Sequence, residues 1–286
     1  MSNALRIAHG LFGRVALLDM DRSLVRHAHP HCHVLIKAEG ADTAFAVGND
    51  LVALTDSQAV LVNAFEPHAY VHDPERPRTI ILALYIEPEW LGEFRPNWTA
   101  SGGPRFFEKP GGQLSPQIQR IARELTQAML ADPSAGAAHE QLLSALMIAV
   151  IERFTAWRSV GGSVRDRAAA LAPADFRIRR AVTAMRTTPG TICSVEALAR
   201  EAGLSRAHFY RLFARSEQVS PHLYLNVLRM ELAVEAIVHQ TDSLTDLSSR
   251  LGFSTPAHFS RFFRDHAGVK PSEFRSVARM GALFDA

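Results

Sequence analysis

Residues 26–33 read Arg-His-Ala-His-Pro-His-Cys-His, with an imidazole at every second position. Side chains alternate between faces in an extended chain, so His27, His29, His31 and His33 would share one face, with Cys32 opposite. Glu39 follows, and a later stretch carries Glu66, His68 and His72. Imidazoles converging with a carboxylate are ligands for zinc, iron, nickel or copper. The same side chains could instead line a pocket for an organic ligand, or hydrogen-bond inside the fold as structural groups. The candidate ligand or metal set is His29, His31, His33, Glu39, His68 and His72. A divalent transition metal is one option for the cofactor, whose identity is open. Pro30 interrupts the run and favours a sheet edge.

Residues 1–100 would position these groups. They hold short apolar runs, His33–Lys37, Phe45–Val47, Ala59–Val62 and Thr79–Ile86, separated by turn formers such as Gly48-Asn49-Asp50 and Asp73-Pro74. That spacing predicts a β-sandwich or barrel. Residues 101–116 are rich in Gly and Pro and read as a loop. Two amphipathic helices follow. One carries Leu114, Ile118, Ile121, Leu125 and Met129; the other carries Leu142, Leu143, Leu146, Met147, Val150, Ile151 and Phe154. Packing against the β domain is the default for their apolar stripe, and a dimer seam is the alternative. Residues 159–175 read as an exposed linker.

The 286 residues suit two domains, and 47% hydrophobic with 21% charged residues is a soluble globular composition. No apolar run nears the ~18–20 residues needed to span a bilayer, and no signal peptide is evident. Two distant cysteines, Cys32 and Cys193, make no disulfide framework and suit a reducing cytoplasm. Cys193, near a helix start, reads as a small packed residue. No Walker motif, dinucleotide fingerprint or Gly-x-Ser-x-Gly elbow occurs. Net charge is +2, but it is +5 from Phe176 onward and −3 over residues 1–164. A basic C-terminal part suits a polyanion.

That part contains an internal repeat. Val195–Pro221 and Leu244–Pro271 align Gly203 with Gly252, Leu204 with Phe253 and Ser205 with Ser254. After one extra residue in the second copy, His208, Phe209, Arg211, Phe213 and Pro221 align with His258, Phe259, Arg261, Phe263 and Pro271. Each copy predicts a short helix (195–201; 244–250), a left-handed glycine, a buried Leu204 or Phe253, and a capping Ser205 or Ser254 that starts a second helix. Phe209, Leu212 and Phe213, or Phe259, Phe262 and Phe263, would face inward. This is a helix-turn-helix, whose second helix enters the major groove. The connector 222–240, with Leu223, Val227, Met230, Val234 and Ile237 on one stripe, would be a helix of roughly 28 Å. One turn of B-DNA is about 34 Å, so one chain could read two sub-sites a turn apart.

Residues 176–278 resemble the DNA-binding domain of the AraC/XylS family of transcription regulators. The second copy carries the family signature: Gly252-Phe253-Ser254, His258-Phe259-Ser260-Arg261, Phe263, Gly268 and Lys270-Pro271-Ser272-Glu273-Phe274-Arg275. Ser248 departs from it, standing where the family usually has alanine; a buried serine there is expected to reach a nearby carbonyl. The outward positions expected to read bases are Arg206, Ala207, Tyr210 and Arg211 in the first unit, and Thr255, Pro256, Ala257, Ser260 and Arg261 in the second. Arg215, Arg264 and Lys270 are expected on phosphates. His208 and His258 are expected to pack within their units.

The N-terminal part resembles a cupin barrel, the usual sensor domain of such regulators. His31-x-His33 with Glu39, and Pro67-His68, look like remnants of the two cupin metal motifs, although Glu39 lies further along than the usual pattern. The resemblance implies an α+β chain: a cupin-like effector-sensing domain over 1–100, a helical segment or dimerisation element over 113–158, and a double helix-turn-helix domain over 176–280. The implied partners are double-stranded DNA, a small-molecule effector, RNA polymerase and a second copy of the chain, with no membrane. The function expected is an effector-controlled, cytoplasmic, sequence-specific regulator without enzymatic activity. The rival is a metal-dependent cupin enzyme fused to a DNA-binding domain.

Overall fold

In a computed structural model the described residues are 3–10, 12–87, 90, 106–132, 136–154, 175–217, 219–239 and 243–282. Almost all of the expected linker 159–175, and residues 101–105 of the expected loop, lie outside them.

The N-terminal part pairs its strands in two antiparallel sheets. The larger contains β1 (Asn3–Gly10), β2 (Gly13–Met20), β8 (Thr79–Ile86), β3 (Cys32–Gly40), β6 (Gln58–Val62) and β9 (Gly111–Gln113), in that order. The smaller runs β5 (Asp50–Leu54), β4 (Thr43–Val47), β7 (His68–Val71). The predicted apolar runs lie inside β3, β4, β6 and β8. The expected barrel is therefore a cupin-like pair of sheets not closed by hydrogen bonds. The expected loop also contains a strand, β9, because Ala59 and Val60 of β6 offer an edge to Gly111 and Gly112. No side chain fits there: a Cβ on Gly111 would meet Val52 at 2.6 Å and one on Gly112 would meet Phe154 at 2.5 Å.

Thr79–Ile86 is apolar throughout because both faces of its sheet are covered. Ile81, Ala83 and Tyr85 point between the sheets, with Leu35, Phe45, Val47, Leu54 and Tyr70. Leu82, Leu84 and Ile86, with Val34 and Ile36, meet two helices, α1 (Pro116–Ala131) and α2 (Gly136–Phe154). Ile118, Ile121, Leu125, Met129, Leu146, Met147 and Val150 are buried there, so the predicted stripes pack inward onto the sheet. Ser115 caps α1, accepting from Ile118 N at 3.2 Å.

The C-terminal part is all helix: α3 (Phe176–Thr187), α4 (Val195–Glu201), α5 (Arg206–Glu217), α6 (Pro221–His239), α7 (Leu244–Arg250), α8 (Pro256–Ala267) and α9 (Pro271–Ala282). The short first helices of the repeat match the predicted bounds. Gly203 and Gly252 take positive φ, 64° and 78°, and turn the chain. Phe209, Phe213, Phe259 and Phe263 are fully buried.

Three local expectations need correction. Ser205 caps α5, accepting from His208 N at 3.3 Å, but α8 is capped by Thr255, which accepts from His258 N at 3.1 Å. The extra residue of the second copy falls before the cap, so Ser254 is the insertion and Thr255 the functional equivalent of Ser205. Cys193 is exposed, because it precedes the cap Ser194 and points away from the packed face of α4.

The third concerns Ser248, buried to 1% exposure, whose hydroxyl has no hydrogen-bond partner among the described residues; its repeat counterpart Ala199 is buried just as deeply. A buried unsatisfied hydroxyl costs about 1–3 kcal/mol. Ser248→Ala should therefore raise stability by about 1 kcal/mol, read as a higher denaturation midpoint. A lower midpoint would show that the hydroxyl has a partner after all.

Candidate functional site

The histidines of the N-terminal segment do converge, but not by strand alternation. Residues 21–31 are irregular, and β3 begins only at Cys32. A lone antiparallel bridge pairs His27 with His68, each backbone N–H donating to the other's carbonyl at 2.9 and 2.8 Å. Their rings lie 4.5 Å apart, and the His29 ring lies 4.9 Å from His27 and 5.1 Å from His68. His33 adds a fourth ring, 5.4 Å from His29 and 5.5 Å from His68, stacked on Tyr85 at 4.1 Å. All four imidazoles are buried.

The hydrogen bonds assign the nitrogens. Nδ1 of His27 faces the Val25 carbonyl at 2.7 Å, and Nδ1 of His68 faces the Glu66 carbonyl at 2.9 Å. A carbonyl only accepts, so each ring donates through Nδ1 and leaves Nε2 as a bare lone pair. Burial pushes His27, His29 and His33 well below the ordinary imidazole pKa and His68 down to about 4, and mutual repulsion among the rings lowers the first three further. The cluster is therefore neutral at physiological pH, the protonation state in which imidazole binds a metal.

The other candidates lie elsewhere. His31 turns away: its Nε2 meets Glu87 Oε1 at 2.5 Å and its Nδ1 lies 3.8 Å from Glu231 Oε2. Glu39 is exposed at the far end of β3, beside Ile80, about 20 Å along the strand from His33. That separation keeps Glu39 out of the set, even though the β3–β8 pairing shifts register between Lys37 and Glu39. His72 lies just past β7, where its backbone N–H donates to Ser23 Oγ at 3.0 Å. The Glu66 carboxylate is occupied by Asn63, accepting from its backbone N–H and its amide, each at 3.0 Å. Cys32 is buried on the opposite face of β3, as alternation predicts, and burial pushes its thiol up to about 12. His27 belongs to the cluster although the candidate set omitted it; the regular spacing of residues 27–33 was the signal available.

The cluster also touches the C-terminal helices. Glu231 of α6 lies 3.9 Å from His29 Nδ1, and the His266 ring of α8 lies 6.1 Å from that of His27. Nearby, Phe65 takes φ 60° in the turn before β7 and stacks on Tyr224 of α6 at 5.2 Å. Gly268, the left-handed cap of α8, packs so closely that a Cβ would stand 3.3 Å from Leu24. No sequence pattern announces these contacts.

On α5, Arg206, Ala207, Arg211 and Arg215 are exposed and Tyr210 is half-buried. On α8, Pro256, Ala257, Arg261 and Arg264 are exposed, as are Thr255 before it and Lys270 after it, while Ser260 is half-buried. Arg206 is held by Glu196 at 2.9 Å and lies over Tyr210. Lys270 lies 3.5 Å from Glu273, and Arg264 lies 3.9 Å from Asp265. Neither Arg211 nor Arg261 is tied to a carboxylate among the described residues. His258 is exposed, yet its ring packs edge-on against Phe253 at 5.3 Å; His208 is exposed.

A β domain packed on two helix-turn-helix units, each presenting an arginine-bearing second helix, is the architecture of one-chain transcription regulators. Two family models match it: an AraC-like ligand binding domain over residues 14–147 and a helix-turn-helix domain over residues 198–276. The chain belongs to the AraC/XylS family of transcription regulators. It is 32% identical over 98 residues to a lactose operon transcription activator of Staphylococcus xylosus, covering 34% of this chain and 35% of that protein. It is 35% identical over 80 residues to the transcriptional activator RhaS of Escherichia coli O139:H28, covering 28% and 29%. The matches thus span about a third of the length of these curated relatives. Among solved structures it is similar to ToxT from Vibrio cholerae strain SCE256 bound to an unsaturated fatty acid, with a TM-score of 0.52 and 11% identity, covering 96% of each chain. At that identity the likeness shows a shared fold.

Proposed function

We propose that this chain is a sequence-specific DNA-binding regulator whose DNA affinity is set by an effector, a small molecule or a metal ion, held in the N-terminal β domain. The observation that carries the reading is the contact of the buried histidine cluster with α6 and α8, the connector and the second recognition helix. A ligand there would meet the DNA-binding unit directly, a route by which its binding can favour one of two states of that unit, as effector control requires. In this reading Arg206, Ala207, Tyr210, Arg211, Thr255, Pro256, Ala257, Ser260 and Arg261 face bases, and Arg215, Arg264 and Lys270 face phosphates.

Small-molecule control is supported by the fold: the ToxT structure of this fold holds a fatty acid. This chain has a cavity of about 320 Å³ between β3 and α1, lined among others by Lys37, Leu82, Arg123 and Thr126. No catalytic role is assigned, in keeping with relatives named as transcription regulators. A cytoplasmic location and contact with RNA polymerase belong to the same reading. So does homodimerisation, with the exposed Leu130 and Ile148 of the helix pair as its apolar anchors. No helix among the described residues is long and apolar enough to cross a membrane.

Selection from random-sequence duplex DNA tests the core of the reading. The expected result is a site with two sub-motifs centred about 10 base pairs apart, one per recognition helix. Binding of all sequences with equal affinity at fixed salt would overturn it.

A further inference from the structure

We propose that His27, His29 and His68 form a binding site for a divalent transition-metal ion, with His33 as a fourth imidazole at its edge, and that this ion is the effector. The inference rests on the regulator reading and names its ligand.

One ligand nitrogen from each of the three histidines can be chosen so that all lie within 4.8 Å of one another. Three nitrogens around zinc at about 2.0–2.1 Å stand about 3.4 Å apart in a tetrahedral site. Small ring rotations would bring these onto one ion. The lone pairs are already prepared. Nε2 of His68, both nitrogens of His29 and both of His33 are buried without a hydrogen-bond partner among the described residues. Leaving a buried polar atom unpaired costs about 1–3 kcal/mol, and five in one cluster is a large cost for a purely structural role. His27 and His68 each donate their other ring N–H to a backbone carbonyl, the arrangement that fixes the tautomer and aims the ring of a metal-bound histidine.

The donor set defines the ion. All three are neutral imidazoles, with no thiolate or carboxylate among them, which favours zinc, nickel, cobalt or copper over magnesium or calcium. Glu231, 3.9 Å from His29 Nδ1, could take that N–H once Nε2 is bound to metal. That bond would tie α6 to the occupied site, and the neighbouring His266 would carry the change to α8.

The test uses the untagged full-length chain, stripped with a chelator and then titrated separately with Zn(II), Ni(II) and Co(II). Stoichiometry is read by elemental mass spectrometry and coordination by the visible absorption of Co(II). The expected result is one ion per chain with a tetrahedral Co(II) spectrum, lost in His29→Ala and in His68→Ala and retained in His72→Ala. Circular dichroism of each variant separates loss of ligand from loss of fold. Should both variants unfold, His27→Gln and the wild-type Co(II) spectrum decide. A folded wild-type chain that takes up none of the three ions overturns the site, as does a folded His29→Ala that retains full stoichiometry. Binding to the selected DNA is measured on the same samples. A metal-dependent change in affinity supports the effector role, and unchanged affinity with the ion bound overturns it. Sequence-specific DNA binding by a chain that takes no metal would leave the regulator reading standing and remove only this ligand.

Discussion

Arg261→Ala is expected to weaken binding to the selected DNA site by about 1–3 kcal/mol, roughly five- to 150-fold at fixed salt. Arg261 is exposed on α8, while Phe259 and Phe263 two positions to either side are fully buried and anchor the helix. No carboxylate among the described residues holds its guanidinium, so in the proposed role it would reach DNA without first breaking an ion pair. Bidentate donation to guanine O6 and N7 would put the loss at one base position. Arg264, one turn of helix further on, should behave differently. Its alanine variant should weaken all sequences alike and reduce the salt slope by about one. Equilibrium titrations at two salt concentrations, on the selected site and on single-base variants, separate the two roles. An Arg261→Ala variant that loses affinity equally for every sequence would make Arg261 a phosphate contact.

Gly252→Ala should destabilise the C-terminal part by clearly more than Gly203→Ala, although the repeat equates the two positions. Both glycines hold positive φ, so any L side chain costs about 1–2 kcal/mol at either site. Around Gly203 a Cβ would meet nothing within 4 Å, whereas at Gly252 it would stand 2.3 Å from the Gly190 carbonyl oxygen. That carbonyl belongs to a turn that Arg229 fastens by donating to the Pro189 and Ile192 carbonyls at 3.2 and 2.8 Å. The turn cannot yield without breaking those bonds, so the expected extra loss is at least about 1 kcal/mol. Denaturant midpoints of the two variants give the comparison. Equal losses would mean that the 189–192 turn shifts freely.

The pair of variants also marks where sequence reading ends. Both glycines were legible as left-handed turns from the repeat alone, because a turn is set by its own few residues. The close approach of Gly190 to Gly252 was not, since it joins segments about sixty residues apart. The cap of α8 shows the same limit at short range. Ser254 and Thr255 are both good caps, and only the packing of Phe259 and Phe263 shows which one starts the helix.

The helix-turn-helix repeat, the connector helix, the strand runs and the two stripes that cover the sheet could all be read from the chain alone. Each follows from local periodicity, capping and turn chemistry. The sequence also marked residues 27–33 as a cluster of donors. Which of those donors meet depends on the folded arrangement. The chain is irregular before β3, so His31 turned to Glu87, while His27 was brought in by a backbone bridge to His68, about forty residues away. Glu39 dropped out because it sits at the far end of β3, and His72 because it lies beyond the end of β7. The contacts of Glu231 and His266 with the histidines depend on how two separately coded domains dock. Docking is governed by the shape and polarity of whole surfaces, which no local pattern in the chain records.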